Sequence, residues 1–259
     1  MNNMSQTILI TGSTSGFGYA IAEQFASQGW LVIALGRRKA RLDQLVSKFS
    51  PDKIYPICAD LCQPEQVQEA IQNRPDHFSQ INILVNNAGL ALGNSPAQHC
   101  HLADWHQMIQ TNITGLVNLT HYLLPELIKR RGIIINMSSV AAHYPYPGGN
   151  IYCATKAFVS HFSQCLRSDL HGTGVRVTAI EPGMAQTEFT IVRTKGDHQA
   201  ADELYRNIDP ITSQDIAQTI YWITSLPMHL NINRLEMMPV SQSCGQFQID
   251  RKQTQTEQN

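Results

Sequence analysis

Residues 7–26, TILITGSTSGFGYAIAEQFA, decide the fold. Thr7-Ile8-Leu9-Ile10 is a short apolar, β-leaning run. Behind it Gly12, Gly16 and Gly18 punctuate a turn, and Ala20, Ile21, Phe25 and Ala26 then share one helical face. A strand, a glycine-rich turn and a helix in that order can hold a phosphate. Glycines let the backbone turn tightly and approach a ligand, while the helix start offers free N–H groups and partial positive charge. The spacing is G-x-x-x-G-x-G rather than the commoner G-x-G-x-x-G. Because glycine also serves plain turns, it is the position between strand and helix that favours the phosphate reading.

Working outward, the same alternation repeats. Leu31–Leu35, Ile54–Cys58, Ile81–Val85, Gly132–Met137 and Val175–Ile180 read as further strands, and a short last strand falls within 230–239. Helical periodicity fills 63–74, 104–129, 150–171 and 213–226, with Ser213 read as an N-cap. Met184–Ile211 is the least regular stretch and a candidate lid. Apolar strands separated by helices imply a parallel sheet with helices on both faces, wound by right-handed crossovers. We therefore expect a single α/β domain over residues 1–249. The segment 250–259, DRKQTQTEQN, reads as a polar, disordered tail.

Bulk properties narrow the partners. Of 259 residues, 42% are hydrophobic and 15% charged, with a net charge of −1. Nothing in that balance calls for nucleic acid or an anionic membrane. No apolar run approaches the ~20 residues of a membrane span, and the start, MNNMSQTILITG, does not read as a signal peptide. The six cysteines form no C-x-x-C pair and read as reduced thiols, which suggests a cytoplasmic protein. His99-Cys100-His101 with His106 has metal-ligand residue types, but neighbours on one short loop rarely close a tetrahedral site, so no metal is expected.

Several residues at the strand ends carry chemistry. Leu31–Leu35 ends in Gly36-Arg37-Arg38, and the first acid beyond is Asp43. In dinucleotide folds this position reads the adenosine ribose, where an acid favours NAD and a base pairs with the 2′-phosphate of NADP. The arginines argue for NADP. The alternative is a solvated helix start shared with Lys39 and Arg41. Asp60 can accept from an adenine amino group, with Leu61 against the ring edge; alternatively, Asp60 is a helix N-cap. Asn86-Asn87-Ala88-Gly89 suits a flat ligand crossing the sheet, or a simple turn. Asn112 lies mid-helix, a poor place for asparagine; a kink holding a water and an exposed neutral side chain are the two readings. Tyr152 and Lys156, four apart, share a helix face. An ammonium beside a phenol lowers its pKa and makes a usable proton donor, although most such pairs are surface features. Ser139 lies thirteen residues before the tyrosine, with Ser138 the neighbouring alternative.

Thr11-Gly-x-x-x-Gly16-x-Gly18, Asn86-Asn-Ala-Gly89, Asn112, Ser139, Tyr152-x-x-x-Lys156 and Pro182-Gly183 occur in order at matching strand ends. Together they resemble the short-chain dehydrogenase/reductase family of the so-called classical type, over about the first 240 residues. Within that family the likeness is to NADP-dependent 3-hydroxy acid dehydrogenases, carried by 86–93, 144–159, 167–183 and 232–243. The resemblance implies one Rossmann-like domain with a seven-stranded sheet, usually a homotetramer joined through the helices around 104–129 and 150–171. It implies Tyr152 as general acid and base, Lys156 as its tuner and ribose holder, Ser139 as a donor to the substrate oxygen, and Asn112 as holder of a relay water. With the readings above it gives a cofactor-contacting set of Gly12, Ser13, Ser15, Gly16, Phe17, Gly18, Arg37, Arg38, Asp60, Leu61, Asn87, Ala88, Gly89, Tyr152, Lys156, Pro182, Gly183 and Thr187. The implied substrates are serine, allo-threonine, 3-hydroxyisobutyrate and 3-hydroxypropionate or malonic semialdehyde. A carboxylate among them needs a cation. The lid segment offers Arg193 and Lys195, and Arg193 is the expected partner. The two rival readings are a reductase of neutral ketones or sugars on the same fold and a catalytically silent NADP-binding regulator. The loop MAQTEF after Gly183 reads one residue shorter than this group's.

Overall fold

In the computed structural model, which describes residues 6–245 and Ile249, the first strand, β1 (Thr7–Thr11), is wholly buried. Period-two alternation explains why. Ile8 and Ile10 join one apolar cluster and Leu9 joins the other, so the strand faces packed helices on both sides. β2 (Leu31–Gly36), β4 (Ile81–Asn86) and β5 (Ile133–Met137) follow the same rule, which is the signature of an interior parallel sheet.

In chain order, β1 is followed by α1 (Gly16–Ser27), β2, α2 (Lys39–Phe49), β3 (Ile54–Cys58), α3 (Pro64–Gln72) and β4. Next come α4 (Leu102–Ile109), a π turn at Gln110–Gly115, α5 (Leu116–Arg130), β5 and α6 (Asn150–Asp169). β6 (Arg176–Pro182), α7 (Glu188–Arg193), α8 (His198–Leu204), α9 (Ser213–Ser225) and β7 (Arg234–Met237) complete the order. The strands run β3-β2-β1-β4-β5-β6-β7 among the described residues, every pair parallel. The chain turns back between β1 and β4, so the crevice at their carboxyl ends is the topological switch point, where such sheets bind ligands.

One face is covered by α1, α2 and α9. Ile21, Phe25, Leu45, Ile216 and Ile220 pack there on Ile8, Val32 and Val85. Phe25 meets Trp30 and Tyr221 edge-on, at centroid distances of 5.3 and 5.4 Å. α3, α5 and α6 cover the other face through Val67, Ile71, Leu119, Leu123 and Leu166. Each such burial stabilises by roughly 1.5–3 kcal/mol.

Three local expectations need correction. The helix read across 104–129 is interrupted by the π turn that holds Asn112. Asp60 does not cap α3. It lies ahead of the N-cap, Gln63, and its Oδ1 accepts from Cys62 N at 2.9 Å in a local turn. The cap of α9 is Thr212 rather than Ser213, because only a side chain at 212 completes the reciprocal bonds with Asp215. The segment 184–211, read as the least regular stretch, carries two short helices, α7 and α8. The tail and the boundary placed at 249 lie outside the described residues. Among the described residues no helix is long and apolar enough to cross a membrane, and no group of three or more His, Cys, Asp or Glu could hold a metal ion. The six cysteines are unpaired.

Candidate active site

The glycine turn begins where β1 ends. Gly12 takes φ of 71°, a left-handed conformation that costs a Cβ-bearing residue. Gly18 is needed for space, because a methyl group there would meet the Gly12 carbonyl oxygen and the Asn87 amide. The turn is pinned to β4 by Asn87 Nδ2, which donates to Thr11 O at 2.8 Å, and by Thr11 Oγ1, which accepts from Asn87 N and Ala88 N. α1 then opens on the crevice with no acidic residue in its first turn and no side-chain cap from Ser15. Its positive end and free N–H groups remain available to an anion.

These elements wall a cleft of about 380 Å³ along the strand ends. Gly12, Ser15, Gly16, Phe17, Arg37, Arg38, Asp60, Leu61, Asn87, Ala88, Gly89, Ser139, Tyr152, Lys156, Pro182, Gly183 and Thr187, all singled out in the sequence, line it. Ser13 and Gly18 do not. Ser13 is fully buried and donates to Ile10 O at 2.7 Å, so it closes the turn instead of facing a ligand. Gly18 lies behind the turn for the packing reason above. Asn112 and Arg193 stand one layer back from the wall.

At the β2 end, Arg38 is held on two sides. Its Nε and Nη2 donate to Thr14 Oγ1 and Thr14 O at 3.2 and 3.0 Å, and its Nη1 donates to Glu188 Oε2 at 2.7 Å. Arg37 is more exposed and lies 3.7 Å from Asp60. The solvated-helix alternative therefore describes Lys39, paired with Asp43, better than it describes Arg38.

At the other end, β5 delivers two serines with different fates. Ser138 is buried and donates to Lys156 O at 2.7 Å, tying β5 to α6. Ser139 caps a short turn, accepting from Ala141 N and donating to Pro182 O at 3.3 Å, and it lines the cleft together with Tyr152, whose ionised form its hydroxyl favours. Lys156 is buried, with Nζ donating to Met137 O at 2.8 Å and lying 5.8 Å from the centre of the Tyr152 ring. Burial pushes the Lys156 ammonium down to about 8. Burial also pushes the Tyr152 phenol up, and Tyr146 adds to the rise, while the Ser139 hydrogen bond and the Arg193 charge oppose it. Part of the Tyr152 ring faces the open cleft, so water offsets some of that desolvation. The net direction still reverses the one expected from the Tyr–Lys spacing, because in this arrangement the ammonium serves a backbone carbonyl and burial outweighs it.

Asn112 is neither exposed nor solvated. Its Oδ1 accepts from Leu90 N at 2.8 Å, and its Nδ2 donates to Leu90 O at 2.8 Å and to Thr155 Oγ1 at 3.1 Å. The kink expected there is the π turn, a feature that recurs at functional sites.

The lid contributes what sequence reasoning missed. Phe189 packs on Tyr152, with ring centroids 5.6 Å apart. The Arg193 guanidinium stands over the Tyr146 ring at 4.9 Å, and its charge opposes the burial that pushes the Tyr146 phenol up to about 12. Lys195, the other candidate cation, is engaged with Asp104 at 2.7 Å. Of these contacts only the two cations were visible beforehand. Tyr146 sat in a Pro/Gly-rich loop that gave no directional signal.

A doubly wound parallel sheet with a phosphate-ready turn and a Ser–Tyr–Lys cluster at its switch point defines a nucleotide-dependent enzyme of the Rossmann-like class. The short chain dehydrogenase family model matches residues 6–198, and the chain belongs to that family of oxidoreductases. It is 57% identical over 249 residues to a serine 3-dehydrogenase of Agrobacterium fabrum (strain C58 / ATCC 33970), covering 96% of this chain and 100% of the relative. To an NADP-dependent 3-hydroxy acid dehydrogenase of Escherichia coli (strain K12) it is 47% identical over 247 residues, covering 95% and 99%. Among solved structures, the closed form of a serine dehydrogenase complexed with NADP+ superposes with a TM-score of 0.91 at 47% identity, covering 95% of this chain and 100% of that one.

Proposed function

We propose that this enzyme moves a hydride between NADP and the 3-position of short 3-hydroxy acids: serine, allo-threonine, 3-hydroxyisobutyrate and 3-hydroxypropionate or malonic semialdehyde. The observation that carries the reading is the gathering of Ser139, Tyr152 and Lys156 on the wall of the same cleft that the start of α1 opens into. Arg193, stacked on Tyr146 behind that wall, is the lid cation that would turn to a substrate carboxylate next to the reacting carbon. The relatives support the same class, being a serine 3-dehydrogenase and an NADP-dependent 3-hydroxy acid dehydrogenase.

The residues present fit NADP. The uncapped start of α1 and Gly12 suit a pyrophosphate. Arg37 and Arg38 line the cleft at the β2 end, with no acid on that strand end, and suit a 2′-phosphate. Asp60, Leu61, Asn87, Ala88 and Gly89 would seat the adenosine side, and Pro182, Gly183 and Thr187 the nicotinamide side. When bound, NADP supplies or accepts the hydride.

The chain's own groups then handle the proton and the oxygen. Ser139 donates to the substrate oxygen and stabilises the charge that develops there. Tyr152 gives that oxygen a proton in reduction and takes it in oxidation. Lys156 holds ribose hydroxyls and, by turning its charge toward the phenol, eases ionisation of Tyr152. Asn112 fixes the π turn against α6 and keeps a water path from Lys156 to solvent. Phe189 closes over the phenol and excludes bulk water, which strengthens each of these interactions.

The rival readings differ in what they need. A reductase of neutral ketones or sugars needs no cation at Arg193, and a silent NADP-binding regulator needs no Ser139, Tyr152 and Lys156 cluster. Following NADPH absorbance against malonic semialdehyde, serine and neutral ketones separates all three. Turnover of the neutral ketones alone favours the first rival, and NADPH binding without turnover favours the second.

Two further parts belong to this proposal. A homotetramer joined through α5 and α6 is supported by Phe158, exposed on α6 and stacked on Phe162 at 5.6 Å. A cytoplasmic setting is supported by the unpaired cysteines.

A further inference from the structure

The short helix α7 is strung across the cleft and tied at both ends. At the substrate end Arg193 O accepts from Gly93 N at 3.0 Å, and Lys195 pairs with Asp104. At the ribose end Glu188 pairs with Arg38 at 2.7 Å and with Arg41 at 3.4 Å. Glu188 also lines the cleft. An acid therefore does stand at the position that reads the ribose, but it comes from the lid rather than from β2.

A guanidinium carries five N–H donors in a fixed plane. Thr14 takes two of Arg38's and Glu188 takes one, which leaves two. Thr14 on one side and Glu188 on another hold the plane in one orientation. The chain also superposes on a closed, NADP+-bound dehydrogenase with a TM-score of 0.91, so the backbone that carries Glu188 and Arg38 is compatible with cofactor.

We propose that Glu188 is a positioning residue that latches the lid through Arg38: it fixes the guanidinium that reads the 2′-phosphate and, by the same ion pair, holds α7 shut over the bound dinucleotide. This rests on the NADP reading above. Because the lid and the phosphate site share one side chain, closing the lid and holding NADP are thermodynamically coupled, and the coupling is reciprocal. The coupling acts on escape more than on entry, since changes at a binding site act mostly on dissociation and the ion pair must open before the dinucleotide leaves.

Stopped-flow fluorescence of NADPH with the full chain tests this. Glu188→Ala should release NADPH about two- to fivefold faster, the range expected when an exposed ion pair is lost, while the association rate changes little. In an Arg38→Ala background the same change should have less than half that factor. A second measurement needs no cofactor: trypsin should cut after Arg193 or Lys195 faster in Glu188→Ala and in Arg38→Ala, and no faster in the double variant than in Glu188→Ala alone. Unchanged NADPH release in Glu188→Ala overturns the latch, as does acceleration of the same size without Arg38, or additive trypsin sensitivity. Failure of the wild-type enzyme to bind NADPH at all would instead overturn the NADP reading, while the trypsin series would still judge the latch.

Discussion

Asn112 and Lys156 meet over Gly89: a methyl group on that glycine would stand 3.3 Å from Asn112 Oδ1 and 3.3 Å from Lys156 Nζ. The two polar groups come from different elements, the π turn and α6, and the strand-end glycine lets both approach one point. That point lies on the cleft wall between the buried ammonium and the open crevice.

Gly89→Ala should therefore disturb the proton path more than the fold. The added carbon would have to shift both neighbours by a few tenths of an ångström. Misplacement of about 1 Å can cost ~100-fold in rate, so we expect a loss of about tenfold in kcat with a change in Tm of only a few degrees. Steady-state kinetics and thermal unfolding check this, and full activity would mean that the placement of Asn112 and Lys156 about Gly89 is not on the path.

Tyr152 should not ionise readily in the cofactor-free enzyme. Burial raises its pKa, and the Lys156 ammonium that would lower it is bonded to Met137 O. Ultraviolet titration of wild type against Tyr152→Phe should show no extra tyrosinate below about pH 10, the ordinary tyrosine value. Adding NADP+ should bring the extra tyrosinate to lower pH as Lys156 turns toward the ribose and phenol. Tyr152→Phe should abolish turnover while NADPH binding stays within about twofold of wild type. An early-titrating tyrosine without cofactor would contradict this order of events.

Much of this site could be read from the sequence because its signals are local. The strand, glycines and helix of 7–26 specify their own turn, and Tyr152 and Lys156 are neighbours on one helix. The two serines at the end of β5 were separable only by spacing, and their burial now separates them. What could not be read depends on contacts distant in sequence. Glu188 reaches Arg38 across 150 residues, and Asn112 finds Thr155 across 43. No periodicity encodes such contacts. The direction of the Tyr152 shift was missed for the same reason, since desolvation is a property of the assembled cleft.

Lys156 should make stability depend on pH in the alkaline range. Burial holds its pKa at about 8, below the ordinary 10.5. Below pH 8 the ammonium is charged in both states, and the folded state bears the whole desolvation cost. Between those values the unfolded chain binds more protons than the folded one, so stability rises with pH. Lys156→Met should then be more stable than wild type near pH 7, by roughly 1–4 kcal/mol. The margin should shrink as pH climbs toward 10.5. Urea unfolding of both proteins across that range is the measurement, and a margin independent of pH would place the titration elsewhere.

Arg193 offers the sharpest choice between substrates, because two of its effects can be separated. As a carboxylate partner it gives charge-assisted bonds of about 1.5–3 kcal/mol, so Arg193→Ala should raise KM for 3-hydroxy acids about 10- to 100-fold. As a charge felt by Tyr152 it also opposes the burial-driven rise of the phenol pKa. Removing it should therefore shift the alkaline limb of the pH profile upward for every substrate, charged or neutral. Arg193→Lys keeps the charge but loses the planar fork that stacks on Tyr146. It should restore the pH profile and leave KM for the acids raised. If Arg193→Ala changes KM for neutral ketones as much as for the acids, Arg193 is a lid brace against Tyr146 and the carboxylate must be held elsewhere.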